Sequence, residues 1–296
     1  MRPAMNHSGE KTPHLRTLLR SPAYLRADQD LAFLNHDALR PVRLQLELLK
    51  AEMIQQAENI RSTIVVFGSA RLPEPRVCRR RLAYAKRMLA RHPKDPLRRR
   101  QVSIAARQVA MSKYYDEARA FGRLVSSRYQ SQEGCDYVIV TGGGPGIMEA
   151  ANRGAADVNG KSMGLNISLP HEQYPNRYIT PSLCFQFRYF ALRKMHFLLR
   201  AKALVAFPGG FGTCDELFDA LTLLQTKKVR GITVVLVGQQ YWRRLINWQW
   251  FEDNGFIASE DRRLFQYADT ADEVWSIISR AQQTTRRRPS PPHWFR

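Results

Sequence analysis

The stretch Ala203-Leu204-Val205-Ala206-Phe207-Pro208-Gly209-Gly210-Phe211-Gly212-Thr213-Cys214-Asp215-Glu216 runs from an apolar segment through a glycine-bearing turn into an acidic pair. Its first five residues fit a buried strand, and the change of composition at Pro208 fits the strand's end. The same arrangement occurs twice upstream. Thr63-Ile64-Val65-Val66-Phe67 ends at Gly68-Ser69-Ala70, and Tyr137-Val138-Ile139-Val140 ends at Thr141-Gly142-Gly143-Gly144-Pro145-Gly146. Two more apolar runs are Met163-Gly164-Leu165-Asn166-Ile167 and Ile232-Thr233-Val234-Val235-Leu236-Val237. Amphipathic helical stretches separate most of these runs. The pattern therefore predicts an α/β fold: a Rossmann-like doubly wound parallel sheet covered on both faces, with a helical N-terminal extension. Ligands of open α/β sheets bind outside the carboxyl ends of the strands, so the three glycine turns are expected to line one crevice.

Glycine suits such a crevice because a backbone without Cβ can take positive φ and bring its N–H groups close to an anion, while the following helix adds its positive end. Thr213 adds a hydroxyl. The turns do not meet the dinucleotide fingerprint: counted from Gly142 and Gly144 the last required glycine falls on Ile147, and counted from Gly210 and Gly212 it falls on Asp215. A GxxxxGK[ST] phosphate loop is also missing, so the reading favours a mononucleotide over NAD, FAD or ATP.

Outward from these turns, residues 1–60 carry no strand signal but hold leucines and other apolar residues at roughly helical spacing, with Pro41 expected to divide two helices. Residues 61–281 form the expected nucleotide-binding domain, in which 73–113 is an arginine-rich surface insertion preceding a helix near 114–127. A closing helix is expected over 271–281, and residues 282–296, with four prolines or serines at 289–292, read as a flexible basic tail. Cys78, Cys135, Cys184 and Cys214 are scattered, which supplies neither a metal knuckle nor a disulfide framework; they are expected as reduced thiols in or near the core. The start of the chain lacks an apolar leader and no run approaches the roughly 20 apolar residues of a membrane helix, so a cytoplasmic protein without a membrane partner is expected. The formal charge of +20 calls for an anionic partner. Much of it sits in arginine triplets at 79–81, 98–100 and 286–288, without interleaved aromatics, which argues against nucleic acid.

The motifs Gly142-Gly143-Gly144-Pro145-Gly146-Ile147-Met148 and Pro208-Gly209-Gly210-Phe211-Gly212-Thr213-Cys214-Asp215-Glu216, with the pair Arg193-Lys194 between them, resemble the Lonely Guy family of phosphoribohydrolases. Members of that family are often labelled lysine decarboxylases, and the resemblance covers about residues 62–240. It implies a homo-oligomer that cleaves cytokinin riboside 5′-monophosphates, AMP or other nucleoside 5′-monophosphates to free base and ribose 5-phosphate, with no metal and no cofactor. The family's arginine and glutamate correspond to Arg193 and Glu216, and Lys194, Thr213 and Thr222 fall on its substrate-contacting positions. Gly68, Ser69, Gly142, Gly143, Gly144, Gly209, Gly210, Gly212 and Asp215 complete the expected substrate site. Breaking a ribosyl C–N bond develops oxocarbenium character, which a carboxylate such as Glu216 can stabilise while activating water; a place in the first turn of a helix would keep it ionised. The long extension, the insertion and Glu149 depart from the compact plant-like form and point to a longer bacterial branch. The segment 171–176 is expected to shape the base or ribose pocket. The alternative function is a nucleotide-binding or sensing protein with little turnover. A pyridoxal phosphate decarboxylase has no recognisable Schiff-base lysine motif here.

Overall fold

A computed structural model describes residues 12–131, 134–169 and 174–286. It divides into two compact units, Met1–Leu49 and Lys50–Arg296. The described part of the first unit is helical: α1 (Pro13–Arg20) and α2 (Leu31–Asn35) are capped by Thr12 and Asp30, and α3 (Arg40–Ala57) begins there. Pro41 sits in the first turn of α3, where its missing N–H costs no helical bond. Arg43 secures that entry by donating 2.7 Å hydrogen bonds to the carbonyls of Leu34 and His36.

The second unit opens inside α3, not after residue 60, because Ala51 and Gln55 are buried. Its elements follow as β1 (Thr63–Phe67), α4 (Pro75–Arg91), α5 (Pro96–Met111), α6 (Lys113–Tyr129), β2 (Gln130–Ser131), β3 (Gly134–Cys135), β4 (Val138–Thr141), α7 (Ile147–Ala156), β5 (Ser162–Ile167) and β6 (Cys184–Phe187). Then come α8 (Phe190–Leu199), β7 (Ala201–Ala206), α9 (Phe211–Gln225), β8 (Thr233–Val237), α10 (Gln239–Leu245), α11 (Trp248–Asp253), β9 (Phe265–Ala268) and α12 (Ala271–Arg286).

Seven strands pair in parallel in the order β6-β5-β4-β1-β7-β8-β9, and β2 and β3 form a separate antiparallel hairpin. The Rossmann-like doubly wound sheet expected from the apolar runs is what the chain forms. Alternation along the strands divides the core in two. Val65 and Phe67 of β1 join a cluster with Ala51, Phe197, Leu217 and Trp242, whereas Ile64 and Val66 join one with Phe121, Ile147, Val274 and Ile278. Helices α3, α8, α9 and α10 thus cover one face and α6, α7 and α12 the other. Because the central strands are buried on both faces, they read as unbroken apolar runs.

From β1 the chain moves outward through β4, β5 and β6, then returns to the centre and moves the other way through β7, β8 and β9. The switch point lies between β1 and β7, whose register runs from Thr63 opposite Ala201 to Phe67 opposite Ala206. The arginine-rich insertion is a pair of helices, α4 and α5, packed on one another, with Cys78 and Ala105 buried. Pro96 starts α5 beneath an Asp95 cap that accepts from the N–H groups of Leu97 and Arg98. Helix α12 continues through Arg286, five residues beyond the expected helix end, and 287–296 lie outside the described residues. Among the described residues no helix is long and apolar enough to cross a membrane.

Candidate active site

At the switch point the carboxyl ends of β1, β4, β5 and β7 open onto a cleft of about 690 Å³. The turn after β1 and the loop after β7 form its floor, and backbone bonds hold them together: Ser69 N–H donates to Pro208 O at 3.0 Å and Ile147 N–H donates to Ser69 O at 3.1 Å. These two bonds join three strand ends, at Phe67, Thr141 and Ala206, that are far apart in sequence. The close approach explains two of the glycines. A Cβ on Gly68 would come within 2.5 Å of the Ile147 side chain, and one on Gly146, at φ +73°, would come within 2.3 Å of Ser69 O.

The loop at 208–213 delivers the N-terminus of α9 into the cleft, with Gly210 as its N-cap. Thr213 is buried, and its Oγ1 lies where a Cβ on Gly209 would fall, so glycine there makes room for the hydroxyl. Gly210 and Gly212 differ: a Cβ on either would meet nothing within 4 Å. Both line the cleft, so a side chain there would project into the space that the first-turn amides face. The Tyr241 hydroxyl donates to Gly209 O, and Trp242 Nε1 donates to Ala206 O and Val237 O at 3.1 and 3.0 Å, fixing the loop to β7 and β8.

The Glu216 side chain, 9% exposed, faces the same cleft. It is the sixth residue of α9 and stands in the second turn, not the first, so the helix end is not what sets its charge state. Burial pushes its carboxyl above the usual carboxylate range; Lys194 and Arg193 oppose that rise, and Asp215 adds to it. Lys194 Nζ lies 3.2 Å from Glu216 Oε2 and 2.8 Å from Asp215 Oδ2. Burial works against the lysine's charge, but the two carboxylates overcome it and hold Nζ as an ammonium.

Arg193, from the first turn of α8, is half-buried and donates from Nε to Leu165 O at 2.7 Å. Its guanidinium lies over the Phe197 ring at 5.2 Å and beside Gly142, where a Cβ would sit 2.7 Å from Nη2. Burial lowers its proton affinity and Glu216 raises it, yet a guanidinium keeps its charge at any working pH. The site therefore holds a fixed cation at the β4–β5 side and an ion-paired carboxylate at the β7 side.

Of the expected residues, Gly68, Ser69, Gly142, Arg193, Gly209, Gly210, Gly212, Thr213, Asp215 and Glu216 line the cleft. Lys194 reaches it through its ion pairs. Gly143 and Gly144 stand behind it: Asn176 Nδ2 donates to both of their carbonyls at 3.2 Å and to Asn152 Oδ1 at 2.9 Å, and Gly143 sits at φ +77°. Thr222 is exposed on the fourth turn of α9, with its hydroxyl donating to Phe218 O, and does not line the cleft. Of the segment 171–176, residues 171–173 lie outside the described residues; Asn176 acts as a lock on the glycine turn.

Several wall residues carried no motif, among them Arg71, Asn166, Phe190 and Leu245. Asn166 had a signal, being the one polar side chain in the apolar run Met163–Ile167. It is buried, with Nδ2 donating to Phe185 O at 3.0 Å and Oδ1 where a Cβ on Gly143 would fall. Cys78 and Cys135 are buried as expected, but Cys184 is exposed on the edge strand β6. Cys214 lines the cleft, and burial raises its thiol, the opposite of what activates a nucleophile.

The family model described as "Possible lysine decarboxylase" matches residues 148–278, from α7 into α12, and this is the label that Lonely Guy members often carry; the resemblance read from the two motifs is borne out. No curated protein matches the chain significantly. Solved structures of similar fold include a structural-genomics protein designated TM1055, at 21% identity and a TM-score of 0.43, covering 74% of this chain and 99% of that one. The molybdenum cofactor binding protein of Rippkaea orientalis matches at 18% identity and a TM-score of 0.40, covering 56% and 86%. The molybdenum cofactor carrier protein of Chlamydomonas reinhardtii matches at 16% identity and a TM-score of 0.44, covering 76% and 99%.

Proposed function

We propose, on the premise that residues 148–278 carry a Lonely Guy-type domain, that this protein hydrolyses the N-glycosidic bond of a nucleoside 5′-monophosphate. The observation that carries the reading is the placing of the buried Glu216 carboxylate and an open, glycine-lined helix N-terminus on one cleft at the switch point. The amide end of α9, Gly210, Gly212 and the Thr213 hydroxyl take the phosphate. The base lies toward the apolar lip, where Phe190, Phe211 and Leu245 line the cleft.

Chemistry then needs little else. As the C1′–N bond breaks, its electron pair stays on the base and positive charge grows at C1′, which the ionised Glu216 stabilises. Water adds to C1′, Glu216 takes its proton as general base, and the base nitrogen gains a proton, leaving free base and ribose 5-phosphate. Arg193, anchored on Leu165 O, keeps its remaining donors for the ribose or the carboxylate. A decarboxylase role is not supported by the most central lysine: Lys194 is held as an ammonium by two carboxylates, and an ammonium cannot attack a carbonyl to form a Schiff base.

The test is to incubate the purified protein with AMP, GMP, CMP, UMP and an isoprenoid-adenosine monophosphate and to follow free base by chromatography. Release of base with an equal amount of ribose 5-phosphate supports the reading and ranks the substrates. Saturable binding without any release would replace it with a nucleotide-sensing role.

A further inference from the structure

A second cavity of about 600 Å³ lies on the far side of the turn after β1, between the insertion helices and the glycine turn that starts α7. Ala70 and Arg71 line both cavities, so this turn is the wall between them. The size falls within the range of small-molecule sites, roughly 300–1,000 Å³. Its charged lining is unbalanced: four arginines, Arg71, Arg81, Arg153 and Arg177, face two carboxylates, Glu74 and Glu149.

The two carboxylates are already engaged. Glu74 Oε2 lies 3.1 Å from Arg153 Nη1, and Glu149 Oε1 accepts from the buried Tyr115 hydroxyl at 3.2 Å. Among the described residues, Arg71, Arg81 and Arg177 have no carboxylate partner in a salt bridge. Like charges gathered around one cavity repel, and the repulsion is relieved only by solvent or by an anion. Two of the guanidiniums are also preorganised. The Tyr178 ring carries Arg153 at 5.4 Å and Arg177 at 5.2 Å from its centroid, and Arg177 Nη2 donates to the Tyr178 hydroxyl at 3.2 Å. A planar fork so held matches the tetrahedral oxygens of a phosphate group with paired donors.

We propose that this cavity is a binding site for a compact phosphate-rich anion, a diphosphate or triphosphate group, held by Arg81 from the insertion, Arg71 from the wall and Arg177 beside Tyr178. The insertion then has a structural purpose, since α4 supplies Val77 and Arg81 and α5 supplies Gln108 to close a site that the sheet alone would leave open. The proposal concerns binding and stands whether or not the first cleft hydrolyses nucleotides.

The experiment titrates the full chain with inorganic pyrophosphate and with tripolyphosphate by calorimetry at physiological ionic strength. The expected result is one saturable site per chain, weakened at least tenfold in Arg81→Gln/Arg177→Gln and in Arg81→Glu alone. The site is expected to stay within twofold of wild type in Arg87→Gln/Arg91→Gln, which removes the same charge from α4 outside the cavity. It is also expected to survive Thr213→Val, which alters the first cleft only. Equal weakening in both double variants would mean diffuse attraction to a basic surface and would overturn the site. Loss in Thr213→Val with retention in Arg81→Gln/Arg177→Gln would place the anion in the first cleft, and no saturable binding would likewise reject it.

Discussion

Glu216 is asked to do chemistry while buried beside a lysine, an arginine and an aspartate, and that environment has a measurable consequence. Its carboxyl titrates above the ordinary range because burial penalises the ionised form more than Lys194 and Arg193 favour it. A base must be ionised, so activity is expected to fall on acidification at a higher pH than a solvent-exposed glutamate would give. A pH–kcat profile whose acidic limb lies at or below the ordinary carboxylate range would contradict this. Glu216→Gln keeps the shape of the side chain and removes the charge. We expect kcat to drop by about 10²–10⁴-fold with substrate binding changed by only a few-fold, read by base release and by calorimetry with AMP; a variant of full activity ends the assigned role. Thr222 belongs to the same scale. From its exposed place on α9, Thr222→Ala is expected to leave nucleotide binding within twofold; a larger loss would mean that a second chain brings this residue to a cleft.

The elements were legible in the sequence to the extent that their own residues decide them. β1, β4, β5, β7 and β8 are central and largely buried on both faces, and their apolar runs, most of them ending at a glycine turn, could be read directly. β6 and β9, Cys-Phe-Gln-Phe and Phe-Gln-Tyr-Ala, lie at the sheet edges, where some residues face out, and four residues of mixed polarity carry little signal against turn or helix. The insertion carried no strand or helix reading of its own, although Pro96 starts a helix capped by Asp95. The glycine motifs located the cleft, but the segments that brace it are distant in sequence. Asn176 is the clearest case: it donates to the Gly143 and Gly144 carbonyls and to Asn152, ties the segment before β6 to the turn after β4, and belongs to no motif. Asn176→Ala removes the side-chain donor from all three acceptors, although the Gly143 carbonyl keeps the N–H of residue 176 and Asn152 Oδ1 keeps the Thr141 hydroxyl, and is expected to cost about 1 kcal/mol of stability, with a matching loss of activity as the turn relaxes. A urea-denaturation series showing less than a few tenths of a kcal/mol would mean that water replaces the amide.

Across the second unit as a whole, stability should depend on acid through a few ion pairs. Glu52, in the part of α3 that packs on the sheet, lies 2.6 Å from Arg200 Nη1 and 3.4 Å from His196 Nδ1. Burial alone would raise its carboxyl; the bond from Arg200 and the nearby His196 ring outweigh that and bring it down to about 2. Asp157 is likewise held at about 2, chiefly by its paired bonds from Arg119 at 2.6 and 2.8 Å, which tie α6 to α7. Both groups have folded values below their unfolded ones, so each contributes stability that is fully present above the unfolded range and lost as pH falls through 4.5 toward 2. For Glu52, whose side chain is 16% exposed, the difference corresponds to about 3 kcal/mol as an order of magnitude. The net charge adds to the effect, because a chain already at +20 becomes more positive as its carboxylates protonate and its folded form repels itself more. Urea midpoints measured from pH 6 to pH 2.5 are therefore expected to fall steadily in the wild type. Glu52→Gln should start from a lower midpoint at pH 6, since Arg200 loses its carboxylate, and should decline less steeply in the same window. A variant whose midpoint follows the wild-type slope would show that acid acts through the general charge and not through this pair.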